Sequence, residues 1–172
     1  ARKSMSEEFF LQEFYCSFNI AEGASYYSRY VQLASEQGRI YKNSIYDRSY
    51  PVHVAWDLGI RCPSVLVFYQ YRENNLYVID HYFKVNEDLS HYVSVLRSYT
   101  ETKGYVYGKH FLPHDALNRM GTDMQTRYSI LENFGLDLSV LPRSRLNDGI
   151  EVVRHMFNRI HFYEKECDLL LD

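Results

Sequence analysis

Three aspartates stand where a carboxylate could do chemistry. Asp57 falls late in the largely apolar run His53-Val54-Ala55-Trp56-Asp57-Leu58-Gly59-Ile60. Asp115 lies in Leu112-Pro113-His114-Asp115-Ala116, and Asp148 in Leu146-Asn147-Asp148-Gly149-Ile150. A carboxylate at the tip of a buried strand is costly unless a cation or a donor meets it. Three of them, on separate segments that could converge, point to a site for hard divalent ions, which take oxygen ligands. Metal-bound carboxylate clusters are a common means of cutting phosphodiesters. Ordinary roles stand beside this one. Asp57 suits a turn before Gly59, and Asp115 suits a cap for a helix from Ala116. Asp148 suits a first helical turn favoured by the helix dipole.

The neighbours of these aspartates carry secondary candidates. His114 could orient Asp115, meet a phosphate, assist proton transfer or simply pack. Lys109 and His110 come just before it, and each either reaches a phosphate or stays solvated. Asp80 and His81 fall on a predicted third strand, where they could face the site from a neighbouring position but are expected at the surface. Glu151, three residues after Asp148, is expected in solvent, as are Asp123, Glu132 and Asp137.

Composition narrows the class. The chain has 172 residues, 46% hydrophobic and 24% charged, which suits one globular domain and excludes a disordered one. A formal net charge of -3 argues against a dedicated DNA-binding module, normally basic. Bound cations would neutralise part of it. Arg143 and Arg145 before Asp148, with Arg154 and Arg159 after it, could still guide a phosphate backbone. The 17 tyrosines are expected to bury their rings and leave their hydroxyls wet. Cys16, Cys62 and Cys167 form no paired spacing, which argues against a disulfide framework or structural zinc and fits a reducing compartment. No apolar run is long enough to span a bilayer, and the first residues lack a signal-peptide pattern. The chain starts at Ala1 without an initiator Met, so a piece of something longer is expected.

The elements that must position the aspartates follow from periodicity. Ala21 to Gln37 has helical spacing, Gly38 ends it, and Arg39 to Pro51 reads as a polar connection. Strands are predicted over Val52–Ile60, Ser64–Tyr71 and Leu76–Val85, with turns at Arg61-Cys62-Pro63 and at Arg72 to Asn75. A helix follows over Asp88–Tyr99, with Asp88 as N-cap. Then come a short strand at Tyr105–Gly108, a helix over Met124–Phe134, a strand over Leu136–Leu141 and a helix over Ile150–Phe157. A short strand at Ile160–Phe162 and a last amphipathic helix over Lys165–Leu171 finish the chain. Three consecutive strands followed by crossovers make an α/β fold, a mixed sheet flanked by helices. With Asp57 on the first strand and Asp115 after the fourth, this order fits the ribonuclease-H-like architecture, whose first and fourth strands are neighbours. Asp148, starting a helix beside them, could close the site. Two divalent ions roughly 3.5–4 Å apart would relieve the carboxylate repulsion, activate a water and stabilise the leaving oxygen.

The segments Trp56-Asp57-Leu58-Gly59, Pro113-His114-Asp115-Ala116 and Asn147-Asp148-Gly149-Ile150-Glu151 resemble the nuclease domain of the large terminase subunit of tailed bacteriophages. The lead-in Phe10 to Phe18 and the ending Glu166-Cys167-Asp168-Leu169-Leu170 add to the resemblance, which covers nearly the whole chain. It implies a metal-dependent endonuclease that cuts concatemeric double-stranded viral DNA during packaging, using two Mg or Mn ions. Asp57, Asp115 and Asp148 then match metal ligands, with His114 and Lys109 as possible secondary residues. Residues 1–50 become a partly helical lead-in from a missing ATPase domain, and 51–172 the nuclease. No Gly-x-x-x-x-Gly-Lys-Ser/Thr loop is present, so no ATP site is expected here. The resemblance also implies a portal protein, a small terminase subunit and the ATPase domain of the same chain as partners. The expected location is the packaging motor in the host-cell cytoplasm, with no membrane role and no stable place in the virion. Two other readings stay open: a docking module with latent nuclease activity, and another ribonuclease-H-like nuclease such as a junction resolvase.

Overall fold

A computed structural model describes residues 26–59, 64–119 and 125–171. Asp123, Cys16, Cys62 and the Phe10 to Phe18 lead-in therefore lie outside the described residues.

The central strands form where the apolar alternation is strictest. Strand β2 (Val52–Asp57) buries Val52, Val54 and Trp56 on one face and turns His53, Ala55 and Asp57 to the other. Strand β3 (Ser64–Arg72) alternates in the same way, with Leu66 and Phe68 fully buried. Strand β4 (Asn75–Lys84) returns antiparallel to β3, and the turn uses Glu73 and Asn74 at positive φ. Strand β5 (Tyr107–Leu112) runs parallel to β2, and β6 (Leu138–Val140) runs parallel to β5. A two-residue strand β1 (Ile40–Tyr41) pairs with β7 (Ile160–Tyr163), which joins the far side of β4. The seven-stranded order is β1-β7-β4-β3-β2-β5-β6. Its inner five strands, in chain order, read third, second, first, fourth, fifth.

Helices cover both faces. On one, α2 (Leu89–Lys103) buries Tyr92, Val93 and Leu96 against Trp56, Leu66, Phe68 and Ile79. Asp88 caps it by accepting from the His91 N–H, and Gly104 ends it in the left-handed region at φ 72°. Helix α3 (Arg127–Asn133) adds Leu131 to the same core. On the other face, α1 (Ser28–Glu36) and α4 (Leu146–Met156) pack Ala34, Val153 and the following Phe157 over Val78 and Phe162. A last short helix, α5 (Asp168–Leu171), closes that layer with Leu170 and Leu171.

Two departures from the sequence reading concern this frame. Ile40 and Tyr41, expected in a polar connection, form an edge strand, because buried Arg39 donates to the Phe157 and Ile160 carbonyls, 2.7 Å each, and holds the segment against β7. The fourth strand begins at Tyr107, not Tyr105, and runs through to Leu112. Tyr105 instead turns into the core, 4% exposed, with its hydroxyl donating to Asp80. Core tyrosines are satisfied internally: Tyr92 and Tyr107 donate to the Lys84 and Leu96 carbonyls at 2.9 and 3.0 Å.

Candidate active site

The parallel pairing of β2 with β5 decides where the aspartates go. Ala55 stands opposite Phe111, so both strands end at the same edge of the sheet centre. Asp57 is the last residue of β2. Pro113 stops β5, and the chain folds at once into a 3-10 turn, His114–Leu117, carrying Asp115 in its first turn and burying Ala116. Strand β6 ends at the same edge. Its exit, Leu141, donates its backbone N–H to the Leu112 carbonyl at 2.9 Å. Loop 141–145 then leads into α4, whose first turn holds Asp148. Asp57 and Asp115 therefore belong to one edge, and Asp148 lies in the first turn of the helix that follows it in the chain.

Asp57 and Asp115 feel each other. Asp57 is exposed as a residue, yet its carboxyl is partly desolvated. This desolvation, and then the negative charge of Asp115, push its pKa above the ordinary carboxylate value. Asp115 has a counter-charge of its own, Arg127 Nη1 at 3.6 Å from Oδ2. Arg127 is held at the start of α3 by a capping box, in which Thr126 and Ser129 exchange backbone-to-side-chain hydrogen bonds of 3.0 Å. A carboxylate whose ionised form is disfavoured beside a second negative charge fits a divalent cation.

Asp148 does not join them as closely. It is exposed and makes no ion pair or hydrogen bond among the described residues, where no group of three His, Cys, Asp or Glu side chains is close enough to share an ion. His114 is exposed beside Asp115. Lys109 sits elsewhere: it is level with His53, its backbone N–H donating to the His53 Nδ1 at 3.0 Å. That is four residues back from Asp57 along β2, roughly 13 Å at strand spacing.

Two sequence expectations are corrected. His110 reaches no phosphate: it is 1% exposed, and its Nδ1 accepts from the Trp56 indole N–H at 3.2 Å. Burial pulls its pKa down to about 4. Asp80, expected at the surface, is 1% exposed and ion-paired with Lys103, which also meets Glu166 at 2.8 Å. The bulge in β4 near Val78–Asp80 turns Asp80 toward α2, opposite Phe68. Beside the aspartates, a cleft of about 430 Å³ opens between the starts of α2 and α3, floored by Leu58, Gly59 and Tyr92 and walled by Arg127. Neither Arg127 nor the cleft was foreseen. The signal within reach was Thr126-Arg127-Tyr128-Ser129, a capping pattern that begins eleven residues after Asp115.

No protein-family model matches the chain, and no curated protein matches it in sequence. Solved structures do. The large terminase of a thermophilic bacteriophage, in complex with ADP, superposes with a TM-score of 0.55 at 16% identity, over 71% of this chain and 31% of that one. The P22 large terminase nuclease domain superposes with a TM-score of 0.51 at 13% identity, over 74% of this chain and 69% of that one. The chain has a large-terminase-nuclease fold. This terminase-like, ribonuclease-H-like sheet accounts for the strand order and the convergent β2 and β5 ends. The chain spans less than a third of the ADP-bound terminase, 31% of its length. The large terminase nuclease of thermophilic phage G20c, solved with bound cobalt, gives a TM-score of 0.47 at 14% identity, over 70% of this chain and 61% of that one.

Proposed function

We propose that this chain is the nuclease part of a large terminase: a divalent-metal-dependent endodeoxyribonuclease that cuts concatemeric double-stranded viral DNA during genome packaging. The observation that carries the reading is the placement of Asp57 and Asp115 at the ends of adjacent parallel strands, where the charge of Asp115 disfavours the ionised form of Asp57. The ADP-bound phage terminase and the P22 nuclease domain support the setting. An ATPase domain, a portal protein and a small terminase subunit are the proposed partners, and the host-cell packaging motor is the proposed place. Among the described residues no helix is long and apolar enough to cross a membrane.

Asp57 and Asp115 would hold the cation, Mg or Mn, with Asp148 as the third ligand and a second ion shared between Asp57 and Asp148. When bound, such ions supply Lewis acidity at a phosphoryl oxygen and a water of lowered pKa. The chain's own residues do the rest. The rigid ends of β2 and β5 fix the separation of the two carboxylates, so little reorganisation is needed on binding. Arg127, 3.6 Å from Asp115 Oδ2, restrains that carboxylate. His114, exposed at the start of the 3-10 turn, would donate to a phosphate oxygen or move a proton to the departing oxygen.

The test is cleavage of supercoiled plasmid by the purified 172-residue chain in Mn, in Mg and in chelator, alongside Asp57→Ala. Metal-dependent cutting that disappears in the variant supports the reading. Cutting that survives in the variant overturns the assignment of Asp57.

A further inference from the structure

We infer that the loop between β6 and α4, through Arg143 and Arg145, is the element that grips the DNA backbone, and that the duplex approaches the aspartates from the β6 side of the sheet. The inference rests on the nuclease reading and assigns it a substrate path.

The sheet edge that carries the aspartates has a charge gradient. Strand β4 is parallel to β2 through two antiparallel pairings, so it ends at this same edge. Across the edge the order is β4, β3, β2, β5, β6. Beyond β4 stand Glu87 and Asp88, both exposed, with Lys84 before them. Beyond β6 stand Arg143 and Arg145, also exposed, with no acidic residue between Leu138 and Asn147. Asp57 and Asp115 lie between the two ends. A polyanion crossing this edge is repelled over Glu87 and Asp88 and attracted over the arginines.

The four arginines around Asp148 are not equivalent. Arg154 is already used: it pairs with Glu151 at 2.7 Å and donates to the Tyr26 carbonyl. Arg159 precedes β7, whose start pairs with Leu76 at the start of β4, so it lies at the opposite edge of the sheet. Arg143 and Arg145 have no ion pair or hydrogen bond among the described residues. Their loop is also fixed at its root, by the Leu141 to Leu112 hydrogen bond and by Pro142, whose ring restricts φ. Neighbouring strands are roughly 4.8 Å apart, so the loop leaves the sheet one strand from Asp115 and two from Asp57. Duplex DNA carries one charge per about 1.7 Å of axis, so several phosphates would span that stretch. Free guanidiniums that close to the aspartates suit phosphate contacts, which set register without reading bases.

The experiment measures binding of two short duplexes of unrelated sequence to the 172-residue chain in chelator, across a salt series, for wild type and for R143Q/R145Q. K84Q, on the acidic side of the same edge, and R97Q, on the exposed face of α2, are the controls. Thermal melts check that all variants fold. The expected result is a plot of log affinity against log salt that is shallower by about two for R143Q/R145Q, equally for both duplexes, and unchanged for the controls. In Mn the same double variant should raise KM for plasmid and leave kcat unchanged. An unaltered slope and KM in a wild-type background that cuts would overturn this inference and leave the nuclease reading intact, as would an effect confined to K84Q. A folded wild type that neither binds nor cuts duplex would overturn both.

Discussion

Arg127 Nη1 lies 3.6 Å from Asp115 Oδ2, which places a fixed positive charge beside one of the two carboxylates at the sheet edge. The contact is longer than a direct hydrogen bond and partly hydrated, with side-chain exposures of 14% and 35%. Its worth is therefore modest, about 1 kcal/mol or less. Arg127 also repels a cation arriving at Asp115. Arg127→Gln should reduce kcat roughly two- to five-fold, since Asp115 loses its restraint, while calorimetry should show Mn binding tighter by a similar factor. Both quantities unchanged would make the contact one of packing alone.

Asp57 is raised in pKa by desolvation and by Asp115, so its ionised form is disfavoured in the folded, metal-free chain. The sign follows from linkage: a carboxyl raised on folding costs stability at pH above its folded pKa, and the cost disappears as pH falls and the group protonates. Asp57→Asn should then melt higher than wild type in chelator at pH 7, with the difference closing toward pH 4. The same variant should lose metal-dependent cutting by about a thousand-fold or more, in line with removal of an essential charge-stabilising group. A lower melting temperature at pH 7 would contradict the assignment of Asp57 as a residue strained for function.

The parts of this arrangement that the sequence exposed are those set by local periodicity. Strands β2 and β3 were legible because Val52, Val54 and Trp56, and then Leu66 and Phe68, alternate cleanly, and Asp88 marks the start of α2, whose end lies beyond the expected Tyr99, at Lys103. The β2–β5 adjacency followed from strand order. What stayed hidden depended on partners distant in the chain. Asp80 looked like an exposed strand residue because nothing nearby announces Lys103, 23 residues on, or Glu166. His110 looked like a basic side chain before a motif because its partner, Trp56, is 54 residues away. Asp148 was legible as a helix-start residue, which is where it sits. Its approach to the other two aspartates depends on the packing of α4, which periodicity does not specify.

His110 offers a pH test of the core behind the site. Its pKa falls from an ordinary 6.5 to about 4, mainly through burial, so the unfolded chain binds a proton there that the folded chain resists. Its contribution to stability is complete above pH 6.5 and is lost progressively as pH falls from 6.5 to about 4, by roughly 3 kcal/mol in all. His110→Gln keeps an acceptor for the Trp56 indole N–H but removes the titration. Urea unfolding between pH 7 and pH 4 should show the variant losing less stability than wild type across that window. Parallel curves would mean that His110 is hydrated in solution and its indole bond is not kept.

The buried ion pair of Asp80 with Lys103 gives the largest expected loss of stability. Asp80 is 1% exposed and takes its hydrogen bonds from Lys103 and from the Tyr105 hydroxyl at 3.1 Å. Lys103 is 28% exposed on its side chain and shared with Glu166, so its removal strands a buried carboxylate while freeing a partly hydrated one. Lys103→Met should cost about 3 kcal/mol, the low end for breaking one partner of a buried pair, because water can reach part of the vacated position. Replacing both members, as in Asp80→Leu with Lys103→Met, should recover most of that loss, since the uncompensated charge is gone. A double-mutant cycle by urea unfolding measures this directly. Equal losses in the single and double variants would show that packing of the Lys103 stem, and not its charge, holds α2 against β4.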